Sequence, residues 1–148
     1  MKKILVLGAG RVARPCVQYL LKEPEYHVTV VDLKKENLLH AIDGHPRGKG
    51  IVGNAGIESA LLMDQLHPDL VINLLPASFM EQIAAQCIER GIPTVNPSYM
   101  DEATKGLDAY ARNKGVTVLC ELGLDPGIDH MSAVQTIERI HQEGGEIE

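Results

Sequence analysis

The sequence predicts a doubly wound α/β fold, a parallel sheet with helices on both faces. Three observations predict it. Short β-branched or Leu-rich runs alternate with longer stretches at helical spacing. The runs are nearly continuous in apolar residues, which is how strands buried on both faces read. The connections are short, and right-handed crossovers then restrict a β-α-β-α chain to this topology.

The elements follow in order. Residues 4–7 form the first strand and end at Gly8. A helix over 11–22 follows, with Pro15 in its first turn, where a missing N–H costs little. Residues 28–31 form the second strand, and 34–42 the second helix. The stretch 43–54 holds Gly, His, Pro, Arg and Lys and reads as a loop, with only Ile51 and Val52 left for a short edge strand. Helices over 56–66, 79–90 and 101–114 separate strands at 70–75, 94–95 and 116–119. Gly91 and Gly115 sit just past two of these helices, where a residue with positive φ is wanted.

Composition bounds the function. The chain has 148 residues, 45% apolar and 23% charged, with a formal net charge of −6. That length suits one domain with one core. The acidic balance argues against a nucleic-acid backbone as partner, which needs clustered Lys and Arg. One Phe, four Tyr and no Trp also speak against a base-stacking platform. No apolar run approaches a membrane span, and none follows Met1 as a signal-peptide core would. Cys16, Cys87 and Cys120 make no C-x-x-C pair, which suits reduced thiols in the cytoplasm.

The first run ends in Gly8-Ala9-Gly10-Arg11-Val12-Ala13, a G-x-G-x-x-A. Gly8 permits the tight strand-to-helix turn. Gly10 lets a pyrophosphate approach the backbone. Ala13 is small enough for the helix to pack on the sheet, and the helix N-terminus offers free N–H groups. The position directly after a strand is the confirming context, and the pattern makes the fold Rossmann-type. Asp32 closes the second strand 22 residues past Gly10, where its carboxylate can accept from both ribose hydroxyls. A carboxylate there repels a 2′-phosphate, so NAD is the expected cofactor. Lys34 and Lys35 keep NADP open, although they read first as solvated lysines at a helix start. Leu75 and Pro76 follow the fourth strand, beside the switch point where a nicotinamide lies, with Ser78 as a candidate N-cap. Gly8, Gly10, Arg11, Val12, Asp32, Leu75 and Pro76 are the predicted cofactor-binding residues.

Other patterns carry less. Tyr110 and Lys114 match the Y-x-x-x-K of short-chain dehydrogenases, but the glycine spacing is wrong, and an exposed i,i+4 pair is the better reading. None of the six histidines makes a zinc motif. Asp125, Asp129 and His130 are close in sequence, but no metal site is expected. The densest polar segment is Glu121-Leu-Gly-Leu-Asp125-Pro-Gly-Ile-Asp-His-Met131. Its Asp-Pro-Gly is a turn signal at the ligand edge, ahead of a helix with apolar residues at Ile128, Met131, Val134 and Ile137.

This segment closely resembles the saccharopine dehydrogenases of the L-glutamate-forming type. The Gly8 to Pro15 turn, Leu74 to Ser78 and Pro97-Ser98-Tyr99 match as well, so the resemblance runs from Lys3 to about Gly145. It implies that saccharopine, NAD(P)+ and water give L-glutamate, α-aminoadipate semialdehyde and reduced cofactor. A hydride leaves the carbon bearing the secondary amine, and the imine is hydrolysed. It also implies that Ser98, Tyr99 and Asp125 face the substrate, with Asp125 handling protons or orienting the amine. Two departures stand out: Asp32 itself, and Asn96-Pro97 where relatives carry small hydroxyl residues.

The family has a second α/β domain with arginines for the substrate carboxylates, and homodimers are common in it. Residues 1–143 are therefore expected to form the dinucleotide-binding domain, and 144–148 the start of a substrate and dimerisation domain. The chain alone is expected to bind cofactor without turning over saccharopine. A competing reading is a nucleotide-sensing gate of the potassium-channel type, which has no use for the 121–131 segment. Another is a sister enzyme such as a polyamine-forming reductase.

Overall fold

The computed structural model describes residues 1–147. Six parallel strands form one sheet. They are β1 (Lys2–Leu7), β2 (Tyr26–Asp32), β3 (Gly48–Val52), β4 (Leu70–Asn73), β5 (Thr94–Val95) and β6 (Val118–Leu119), in the order β3-β2-β1-β4-β5-β6. The helices are α1 (Ala13–Lys22), α2 (Lys35–Ile42), α3 (Ala55–Leu66), α4 (Met80–Glu89), α5 (Glu102–Lys105), α6 (Asp108–Lys114) and α7 (Ile128–Gln142). The order reverses between β1 and β4, so the chain leaves the sheet on both sides of one crevice.

The continuous apolar runs have a simple cause. Successive strand residues point to opposite faces. Ile4 and Val6 of β1 join Val28 and Val30 beneath Ala13, Val17 and Leu21 of α1. Leu5 and Leu7 join Val31 and Val71 beneath Leu62 and Met63 of α3 and Ile83 and Cys87 of α4. Both faces are dry, so neither parity can be polar.

Several expectations are corrected, the first being the strand at 70–75, which ends at Asn73 because the Asn73 side chain takes up the Leu75 N–H and turns the chain. Strand β3 is longer than Ile51 and Val52 and pairs with β2 from Gly48 onward. Its glycines disguised it: a Cβ on Gly48 would overlap the Ile42 side chain, and one on Gly50 would meet Leu38 at 3.2 Å. They let α2 lie close against the edge strand. The helix over 101–114 is two helices, α5 and α6, separated at Gly106 and Leu107. The Leu107 N–H turns back to the Thr104 carbonyl in a tighter turn, directly after Gly106, whose residue type is poor in helix propensity. Strand β6 begins at Val118, because the Val116 N–H is bonded to Ala111 at the end of α6. Ser78 caps nothing: residues 77–79 form a 3₁₀ turn, and the residue before α4 is Phe79, with no side-chain cap.

Helix α7 differs from the others. None of its described residues is buried, and its predicted apolar face is open, from Ile128 at 60% exposure to Ile137 at 39%. Residues 145–147 form no strand, and Glu148 lies outside the described residues.

Candidate functional site

All six strands are parallel, so the loops after β1, β2, β4, β5 and β6 leave by the same edge. Gly8 turns there with φ +94°, and a Cβ on it would stand 3.1 Å from the Leu74 carbonyl oxygen and 3.4 Å from Leu75 Cδ2. The turn therefore presses on the β4 loop and brings Leu75 against it. Space above Gly10 is open, with nothing within 4 Å of a Cβ placed there. Arg11 and Val12 are exposed on the same turn. Helix α1 has no side-chain cap and no acidic residue in its first turn. The Ala13 N–H is bonded to the Gly10 carbonyl at 3.1 Å and Pro15 has no N–H, so an anion here would meet the Arg14 N–H and the positive end of the helix. An open cradle over an uncapped helix start fits a dinucleotide pyrophosphate.

Asp32 ends β2 beside this turn. Its Oδ2 accepts from the Ala9 N–H at 2.8 Å, and its Oδ1 from the Lys34 N–H and the Asn37 amide, both at 2.9 Å. Partial burial pushes the carboxyl pKa up. The N–H groups of Lys34 and Ala9, the Asn37 amide and the Lys34 charge outweigh it and hold the group below the usual carboxylate range. Asp32 is thus ionised and aimed.

A shared device shapes three of these loops. At the carboxyl end of β2, Asp32 accepts from the N–H two residues on. Asn73 does the same at the end of β4, accepting from Leu75 at 3.1 Å. Asn96, just past β5, accepts from Ser98 at 3.0 Å. Each is an Asx turn, in which the side chain replaces a backbone acceptor. Asn73 and Asn96 are buried, and neither was among the predicted site residues. The signal was partial: Asp32 and Asn96 directly follow apolar residues, whereas Asn73 interrupts the run at 70–75.

The 121–131 segment is knit differently. The Glu121 N–H donates to the Ser98 carbonyl, and Glu121 Oε1 accepts from the Met100 N–H at 3.1 Å, which ties this loop to the one after β5. The Gly123 N–H donates to the Pro126 carbonyl and the Ile128 N–H to the Gly123 carbonyl. The Asp125–Pro126 peptide is cis. Gly127 has φ +146°, and a Cβ there would overlap the Gly123 carbonyl oxygen, so only glycine fits. Its N–H donates to Asp129 Oδ1 at 2.9 Å, which also lies 2.9 Å from His130 Nδ1.

The loop brings two predicted substrate residues together. The Tyr99 hydroxyl donates to Asp125 Oδ1 at 2.5 Å. The His130 ring meets Tyr99 edge-on, 6.2 Å between centroids. The bond to Asp125 pushes the Tyr99 hydroxyl up to about 12, with some burial and the charges of Asp125, Asp129 and Glu121 adding to it. Ser98 is half-buried beside this pair and uses its backbone to join the two loops. Pro76 is exposed at the same edge. Lys114 lies over the Tyr110 ring at 5.9 Å, the surface pair expected in place of a catalytic one. Among the described residues, no group of three or more His, Cys, Asp and Glu is placed to hold a metal ion.

Comparison with known proteins bears directly on this geometry. Residues 4–119 match the family model of the saccharopine dehydrogenase NADP-binding domain. The chain belongs to that family. It is 34% identical over 147 residues to saccharopine dehydrogenase (NADP(+), L-glutamate-forming) of Schizosaccharomyces pombe, covering 99% of this chain and 33% of that one. It is 37% identical over 150 residues to the mitochondrial α-aminoadipic semialdehyde synthase of Bos taurus, covering 99% of this chain and 16% of that one. A solved apo saccharopine dehydrogenase (L-Glu forming) from Saccharomyces cerevisiae superposes with a TM-score of 0.84 at 34% identity, over 100% of this chain and 33% of its own. The chain spans about a third of the fungal relatives and about a sixth of the bovine one. It is thus an oxidoreductase-family dinucleotide-binding domain, and family membership displaces the channel-gate reading. The family and the fungal enzymes are named for NADP, whereas Asp32 led to the expectation of NAD.

Proposed function

We propose that this chain is the cofactor-binding part of an enzyme that oxidises saccharopine to L-glutamate and α-aminoadipate semialdehyde. The supporting observation is the shared edge: the glycine turn and Asp32 open onto the side of the sheet that carries the Tyr99–Asp125 pair. A nicotinamide bound at this edge would supply the hydride acceptor for the substrate carbon bearing the secondary amine, and water would hydrolyse the resulting imine to the two products. Gly8, Gly10, Arg11 and Val12 would hold the pyrophosphate, Asp32 the ribose hydroxyls, and Leu75 and Pro76 the nicotinamide side. Asp125 takes up the proton of the secondary amine, and Tyr99 holds that carboxylate in place. Ser98 lines the same place. A cytoplasmic location belongs to this proposal, although the bovine relative is named mitochondrial.

NAD is the proposed cofactor, with NADP as the alternative that Lys34 and Lys35 would serve. A 2′-phosphate beside an ionised Asp32 is repelled. The chain by itself binds cofactor without oxidising saccharopine, because the cationic groups for three substrate carboxylates are not supplied by a surface of net charge −6. Fluorescence titration with NADH and NADPH, followed by a saccharopine-dependent assay, tests each part. Saturable NADH binding, weaker NADPH binding and no turnover are expected. Tighter NADPH binding overturns the cofactor preference, absence of binding overturns the function, and turnover overturns the inactivity.

A further inference from the structure

Asp32 carries three protein hydrogen bonds, and they are not equivalent. A carboxylate has about four lone-pair sites. The Ala9 and Lys34 N–H groups occupy one site on each oxygen, and both are backbone donors, the first from the glycine turn after β1 and the second from the turn after β2. The Asn37 amide occupies the second site on Oδ1 and is the only side-chain donor described there. One site, on Oδ2, is left. The 2′- and 3′-hydroxyls of an adenosine ribose present two donors. A ribose held by both therefore competes with Asn37.

The same bond bears on the phosphorylated cofactor. An N–H donor on a carboxylate offsets part of its negative potential. With Asn37 in place, Asp32 is less repulsive to a 2′-phosphate. Asn37 also sits in the first turn of α2, next to Lys34 and Lys35, the cations nearest in sequence to where such a phosphate would lie.

We infer that Asn37 is a positioning residue that sets cofactor discrimination through Asp32, narrowing the gap between NAD and NADP. This rests on the dinucleotide-binding reading above. Removing the amide frees an acceptor for the ribose hydroxyls of NADH and restores repulsion against NADPH. The two affinities then move in opposite directions. A residue that merely packed α2 would move both the same way.

The test is titration of the whole chain and of Asn37→Ala with NADH and NADPH at fixed salt, with circular dichroism confirming the fold. Asn37→Leu, which keeps the size and lacks the donor, is the second variant. The NADPH-to-NADH ratio of Kd is expected to rise at least about threefold in both, since one hydrogen bond is exchanged. An unchanged or lower ratio overturns the inference, while wild-type binding keeps the underlying function intact. If the wild-type chain binds neither cofactor, the dinucleotide-binding reading itself fails, and this inference with it.

Discussion

The glycine turn after β1 and the 121–131 loop after β6 open onto the same edge of the sheet but rest on different supports. The turn stands on Leu7, in a strand that packs on both faces, and on Ala13, which opens α1, and both are fully buried. The loop stands on its own backbone bonds and on Ser98 and Met100, and the helix after it buries no described side chain. Apolar burial holds the first. Glycine geometry and local hydrogen bonds hold the second. The proposed cofactor side is therefore tied to global stability, and the proposed substrate side is set by local order.

Four measurements bear on that contrast, in descending order of effect. Leu7→Ala should cost about 2–5 kcal/mol of stability in denaturant unfolding and weaken NADH binding with it, because it empties the core beneath the turn. A small loss would break the contrast at its base. Asp32→Ala should weaken NADH by about tenfold to a hundredfold, the worth of a charge-assisted contact, and leave the unfolding midpoint less affected than Leu7→Ala does. The wild-type carboxyl is held below its ordinary range, so NADH affinity should persist as pH falls through that range and fail only below it.

Gly127→Ala should disrupt the loop and the Tyr99–Asp125 bond while changing NADH affinity by less than about twofold, since additivity holds for separate sites. Its readout is tyrosinate absorbance. In the wild type one tyrosine ionises late, near pH 12, and in the variant that step should move down toward the ordinary value. The stability linked to Tyr99 is present below about pH 10 and is lost as pH rises through its folded value. Met131→Glu, on the open face of α7, should change stability by no more than about 0.5 kcal/mol in the isolated chain. A larger loss would show that α7 packs in solution.

Much of the fold was legible because it rests on periodicity and glycine chemistry. The runs at 4–7 and 28–31 could only be strands with two dry faces, and Gly8-Ala9-Gly10 with Asp32 could only make sense at a strand-to-helix turn. The edge strand was hidden because Gly48 and Gly50 have no side chains to show a pattern, and their reason is the closeness of α2. The break at Gly106 was hidden because the helical spacing continues across it. In the site, Tyr99 and Asp125 were each visible but 26 residues apart, and nothing local says that they meet.

The sequence by itself determined the parallel sheet, the glycine turn, the acidic residue after β2 and the family resemblance. Each depends on side-chain size, period or backbone freedom over a few neighbouring residues. The tertiary structure decided what Asp32 is bonded to, which asparagines shape the strand ends, and that α7 shows its apolar face. Those depend on distances between segments far apart in the chain, which chain-local chemistry does not encode.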